Sequence, residues 1–166
     1  MNVTATLRNY MEVTVSATSS TGGKTSTKDP FKRTAAYANG AGSNIALQVN
    51  EYYAENRTLA AGANETLDIA GGVANLTKVK EFQIHLPDGT NQASSISVGG
   101  ASSNPWFPFL ADSSDKLKVL KGGSITIGVP VVAGMAVTAG SADKLKVENN
   151  DGSNNATYQV VLLGNS

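Results

Sequence analysis

The sequence predicts an all-β fold: a single-domain β-sandwich, jelly-roll-like, with a long polar N-terminal loop or arm. Three observations carry that expectation. Apolar and polar residues alternate with period two in run after run. Turn-forming Gly, Asn, Asp and Ser fall between the runs. The composition is polar without being charged: 40% of the 166 residues are hydrophobic and 16% charged, against about 25% charged in a typical soluble domain.

The elements follow in chain order. Residues 18–44 stand apart, because Ser19 to Pro30 and Ala38 to Asn44 offer almost nothing to bury. The stretch reads as an extended loop or arm, and a loop that long is usually functional or disordered. Residues 45–56 form the best helix candidate, but the β-branched start and the Leu47/Val49 alternation favour a strand running into a loop. From about Leu67 onward the pattern is regular. In residues 79–86, Phe82, Ile84 and Leu86 take one face of a strand, and Glu81, Gln83 and His85 the other.

Leu117 and Val119 alternate with lysines, as do Leu145 and Val147, whereas Ile125, Ile127 and Val129 alternate with Ser124, Thr126 and Gly128. Asp-Lys-Leu-Lys-Val occurs at 115–119 and again at 143–147, each time before a Gly-containing turn and a β-rich run. The two units read as similar hairpins, from a duplicated Greek-key half or from the few residue types amphipathic hairpins use. The run Thr157 to Leu163 loses its polar face toward its end, which predicts a central strand covered on both sides. Pro87-Asp88-Gly89, Gly122-Gly123 and Asn149 to Gly152 mark the reversals.

Composition also narrows the function classes. Thirteen basic residues balance thirteen acidic ones, so bulk charge draws in neither nucleic acid nor an anionic membrane. The absence of cysteine excludes disulfides, thiolate metal sites and cysteine nucleophiles. No signal peptide is read in the first residues, and the longest apolar stretch, Val129 to Val137, is far short of the roughly 20 residues that span a bilayer.

No residue set amounts to a catalytic site, and no enzyme activity, cofactor or metal is expected. The single histidine, His85, lies on an outward strand face with no Gly-x-Ser-x-Gly elbow to serve. Asn149 to Asn155 is rich in oxygen ligands but lacks the calcium-loop spacing and its terminal Glu, so an Asx-rich turn is expected. Rigid aromatics make good contact anchors. Trp106, Phe107 and Phe109, clustered with Pro105 and Pro108, are candidate interface residues, as are Tyr52 and Tyr53. For Trp106, a plug of the core is the competing role.

From Asn56 to the C-terminus the chain resembles small structural proteins of tailed bacteriophages. The resemblance rests on Arg57 to Gly72, Val79 to Leu86, Val98 to Asn104, Val137 to Val147 and the ending Tyr158 to Gly164. These motifs are similar to those of capsid decoration or cement proteins, jelly-roll subunits that commonly trimerise and clamp neighbouring capsomers. The resemblance implies a virion location on the capsid surface, the major capsid protein as partner, and a homo-oligomer with a trimer favoured. A second role stays open: a neck, tail or fibre-associated module that recognises host glycan through Trp106, Tyr52 or Tyr53.

Overall fold

The computed structural model describes residues 5–18, 24–40 and 46–166 of the chain. Twelve strands occur among them and no helix: β1 (Ala5–Thr18), β2 (Lys24–Asn39), β3 (Gln48–Val49), β4 (Glu51–Leu59), β5 (Asn64–Asp68), β6 (Lys78–His85), β7 (Ser95–Gly100), β8 (Lys116–Leu120), β9 (Ser124–Gly128), β10 (Met135–Ala136), β11 (Lys144–Asn149) and β12 (Ala156–Asn165).

Two sheets make the body. One has the order β10-β6-β12-β4, with β9 also on β6; the other has the order β5-β11-β7-β8. Every ladder within them is antiparallel. Between β4 and β7 each connection changes sheet, and so do those from β8 to β9, β10 to β11 and β11 to β12. That is the connectivity of a jelly roll, a double-sheet β-sandwich. The fold is all-β, as the alternation predicts.

The alternating residues meet between the sheets. Tyr53, Leu59, Phe82, Ile84, Tyr158, Val160 and Leu162 of one sheet, and Leu67, Ile96, Val98, Val119, Leu145 and Val147 of the other, belong to one buried cluster. β12 is central, between β4 and β6, and is buried without interruption from Leu162 to Asn165.

The repeated Asp-Lys-Leu-Lys-Val units are not hairpins within one sheet. β8 and β11 both flank β7, whereas the strands that follow them, β9 and β12, both flank β6 in the opposite sheet. Each unit is therefore a crossover from one sheet to the other. The apolar run 129–137 does not form one strand either. β9 and β10 lie along the same edge of β6, and Pro130 to Gly134 turn outward between them, exposing Val131 and Val132.

Regular structure begins well before Leu67. Residues 51–59, which take in the second half of the 45–56 candidate where a strand running into a loop is expected, are the edge strand β4. Within 18–44, Lys24–Asn39 is strand β2, paired with β1 over fourteen positions from Ala5↔Tyr37 to Thr18↔Lys24. The rest of that stretch, 19–23 and 41–44, and Ile45 at the start of the helix-or-strand candidate, lie outside the described residues. A loop was the expectation because hydroxyls, lysines and Pro30 dominate β2. The ladder to β1 satisfies its backbone without needing apolar side chains.

Candidate interaction surface

The two outer faces of the sandwich differ in charge. On the face built from β5, β11, β7 and β8, outward positions carry Asp68, Lys144, Lys146, Glu148, Lys116 and Lys118. Lys144 pairs with Asp68, and Lys116 and Lys146 converge on Glu148. Those lysines hold the carboxyls of Asp68 and Glu148 below their usual range. This face is a solvated one, and Asp68, Lys144, Lys146, Glu148 and Lys116 pair among themselves.

The opposite face is built differently. Register places Ala54, Val161, Gln83 and Thr126 in one row across β4, β12, β6 and β9, and Asn56, Gln159, His85 and Ser124 in the next. Neither row carries a formal charge. Gln83, His85, Ser124, Gln159 and Val161 line an open depression of about 270 Å³. The Nδ1–H of His85 donates to Gly123 O at 2.9 Å, which anchors the ring at the sheet edge. A broad patch of amide, hydroxyl and short apolar groups without charge matches the charge-depleted core of a protein interface.

One end of this neutral face is covered by the base of the β1/β2 ribbon. A bulge makes the place for it. Leu163 pairs with Glu81 and Gly164 with Val79, so the register shifts there and Lys80 is the extra residue of a bulge in β6. A bulge of this kind shifts the strand's alternation by one residue. Val79 and Phe82 thus both reach the core, although three residues apart, while Lys80 and Glu81 sit beneath the ribbon base.

There the Tyr37 hydroxyl donates to Glu81 Oε1 at 2.6 Å, and Lys80 Nζ donates to Ala46 O. Burial lowers the pKa of Lys80, and nearby Lys78 lowers it further. Tyr37, Val49 and Leu163 close a small second core beside these groups. Asn165 Nδ2 donates to Gly40 O at 2.9 Å, which ties the C-terminal strand to the same base.

A polar staple joins the two sheets at one edge. Arg57 of β4 donates from Nε (2.8 Å) and Nη2 (2.5 Å) to Glu65 Oε2 of β5, and Tyr158 donates to Glu65 Oε1 at 2.7 Å. The hydrogen bonds to Glu65 raise the pKa of Arg57. Burial, then the bond to Glu65, raises that of Tyr158. Glu65→Ala removes the acceptor for the buried Tyr158 hydroxyl and the cross-sheet partner of Arg57 together. The expected cost is about 2–3 kcal/mol, read by denaturant unfolding.

The aromatic residues singled out in the sequence separate into two groups. Trp106 is fully buried and Tyr53 nearly so, and neither ring offers a contact surface. The Tyr53 hydroxyl donates to Glu55 and accepts from Arg57 Nη1. Phe109 is half-buried against Phe82 and Trp106. Phe107 is also half-buried. Tyr52 alone is open, at 51% exposure, and it stands on β4 in the row that ends at the ribbon base. The neutral rows escaped sequence reasoning because they emerge only when four strands are laid in register.

The Asx-rich segment is a turn. Asp151 accepts from the backbone of Ser94, Ser153 and Asn154, which drives its carboxyl well below the ordinary range. Asp68, Asp112 and Glu148 are lowered too. Carboxyls depressed in the folded state bind fewer protons there than in the unfolded chain. Their stabilisation is present above about pH 4, the unfolded value, and is lost as pH falls through the folded values. The thermal midpoint should hold from neutral pH to about pH 5 and fall below about pH 4, with a shallower fall in Asp151→Asn. A midpoint that rises on acidification contradicts this.

No family model matches this sequence, and no curated protein does. Among solved structures the chain is similar to the cupin domain of Schizosaccharomyces pombe Cnp3, with 11% identity, 93% of this chain and 88% of that one covered, and a TM-score of 0.35. It is also similar to the coat protein of tobacco streak virus, with 13% identity, 70% and 89% coverage, and a TM-score of 0.33. The jelly-roll assignment rests on the strand pairing itself.

Proposed function

We propose that the chain is a non-enzymatic structural protein of a virion, a capsid decoration or cement protein. It binds the major capsid protein at the capsid surface and stabilises the shell through oligomeric contacts, with a trimer the favoured order. The observation that carries this reading is the neutral outer face with the β1/β2 ribbon rooted at its end. That pairing supplies two contact features on a rigid sandwich. The sequence resemblance to phage decoration proteins supports the capsid as the surface bound. The glycan-recognition reading depends on Trp106, Tyr52 or Tyr53, and two of those rings are buried.

The test is addition of purified chain to capsids assembled without it. Co-sedimentation and a higher shell-disruption temperature are expected. Asn56 and Gln159 are exposed neighbours in the neutral face, and Asn56→Arg/Gln159→Arg is expected to abolish binding while leaving the unfolding midpoint unchanged. Wild-type chain that stays in the supernatant overturns the reading.

A further inference from the structure

We propose that β4 is a docking strand for a second copy of this chain: two β4 edges pair antiparallel about a two-fold axis at Asn56, joining two sandwiches edge to edge. β4 runs for nine residues, Glu51–Leu59, and among the described residues it pairs with β12 alone. Ala54, Glu55, Asn56 and Thr58 are exposed along it. An edge open in this way presents a row of backbone donors and acceptors that another strand can take.

The other edges of the sandwich are guarded or short. β8 carries Lys116 and Lys118, and lysine blunts an edge against further pairing. The β9–β10 edge is interrupted by Pro130 to Gly134, and β5 spans five residues. β4 has no lysine, proline or glycine and holds Tyr52, Tyr53 and Thr58, residue types that favour strands. Its charged residues, Glu51, Glu55 and Arg57, are the feature that opposes indiscriminate pairing.

Those charges specify the partner. In an antiparallel pair centred on Asn56, position 55 of one copy stands opposite position 57 of the other. Both Glu55–Arg57 pairs then form across the axis, which makes the contact self-complementary. The Glu55 side chain is 53% exposed while it accepts from Arg57 of its own chain, so its carboxylate has room for a second cation. Centring on Glu55 or on Arg57 sets like charges together, and so does parallel in-register pairing. Centring on Ala54 also sets Arg57 opposite an acid, Glu51, but it runs Leu59 of the second copy onto Val49, which already pairs with Asn39 of β2.

The axis at Asn56 also continues the neutral face. Residues directly opposite one another lie on the same side of a sheet. The row Asn56, Gln159, His85 and Ser124 therefore meets its copy at the axis, and one uncharged row crosses four strands of each chain. The same register sets Ala54 opposite Thr58 and Tyr53 opposite Leu59. The contact makes a dimer, whereas the sequence resemblance favours a trimer, and sedimentation of the purified chain without capsids decides between them.

In sedimentation velocity the wild type should run as a dimer, and Glu55→Arg, which sets cations together at both pairs, should weaken association by about tenfold or more. The chain has no cysteine, so register can be read directly. Opposed Cα atoms in an antiparallel pair lie about 4.5–5.5 Å apart, within the span of a disulfide. Asn56→Cys should therefore oxidise to a covalent dimer. Ala54→Cys and Thr58→Cys should each stay uncrosslinked alone and form a disulfide heterodimer when mixed. Circular dichroism identifies any variant that fails to fold, and crosslinking is read only with folded variants. A wild type that sediments as a monomer or a trimer, a Glu55→Arg variant as tightly associated as the wild type, or Ala54→Cys that crosslinks alone as well as in the mixture overturns the proposal. An edge that takes only a strand of capsid protein leaves the purified chain monomeric and falls among those outcomes.

Discussion

Trp106→Ala is expected to destabilise the fold by about 3–5 kcal/mol, the cost of emptying a large buried aromatic site. The indole has no exposed surface. It meets Phe82 edge-on, with ring centroids 6.0 Å apart at 87°, and Phe109 at 5.4 Å and 66°. Phe82 and Phe109 stack at 5.3 Å, so the deletion removes one ring of a three-ring cluster. It also removes the indole Nε1–H that donates to Ala136 O at 2.9 Å, leaving a carbonyl of the edge strand β10 without that donor.

The local backbone is built to bring the ring in. Asn104 takes a left-handed φ of 52°, its carbonyl accepts from Asp143 and Lys144, and the Trp106 amide donates to Lys144 O at 2.8 Å. Unfolding of the variant is best followed by circular dichroism, since the only tryptophan is lost. A change below about 0.5 kcal/mol, the range of an ordinary surface substitution, would show that the ring is not a core element.

Gly164→Ala is the second large effect, at least about 2–3 kcal/mol. A Cβ at this position would lie 2.0 Å from the carbonyl oxygen of Lys78 and 3.0 Å from Leu76 Cδ2. The first obstacle is backbone of the adjacent strand, so relief requires β6 and β12 to part at the bulge. Leu163 and Asn165 on either side hold the ribbon base. The variant should therefore lose global stability and also become cleavable by protease near Gly40. Gly152 has nothing within 4 Å of an added Cβ and is the control, with Gly152→Ala expected within about 0.5 kcal/mol of wild type. Equal stabilities for the two variants would mean that the bulge tolerates a side chain.

Much of the sandwich was legible because it follows from period-two alternation alone. Phe82, Ile84, Leu145, Val147, Tyr158 and Val160 all face the core that their spacing implies. Three features were not legible, each for a physical reason. The ribbon escaped because β2 is rich in lysines, hydroxyls and a proline, and its strand state depends on a register that spans the chain from Ala5 to Tyr37.

The bulge escaped because a one-residue insertion inverts the meaning of alternation, so Val79 and Phe82 look as if they face opposite ways. The Arg57–Glu65–Tyr158 staple escaped because strands β4 and β5 are neighbours in sequence but members of different sheets. Of the candidate contact residues, Tyr52 is open and Trp106 is core. Sequence can mark an aromatic as valuable, but burial depends on whether the backbone turns it inward.

The neutral face and its ribbon are proposed to serve attachment to a capsid. Imaging of virions at a resolution that separates subunits tests it most directly. Jelly-roll density repeated over the capsid surface is expected, with the rows through Gln83 and Gln159 turned toward the capsid protein. Density confined to the neck, tail or fibres, or its absence from the particle, would contradict it.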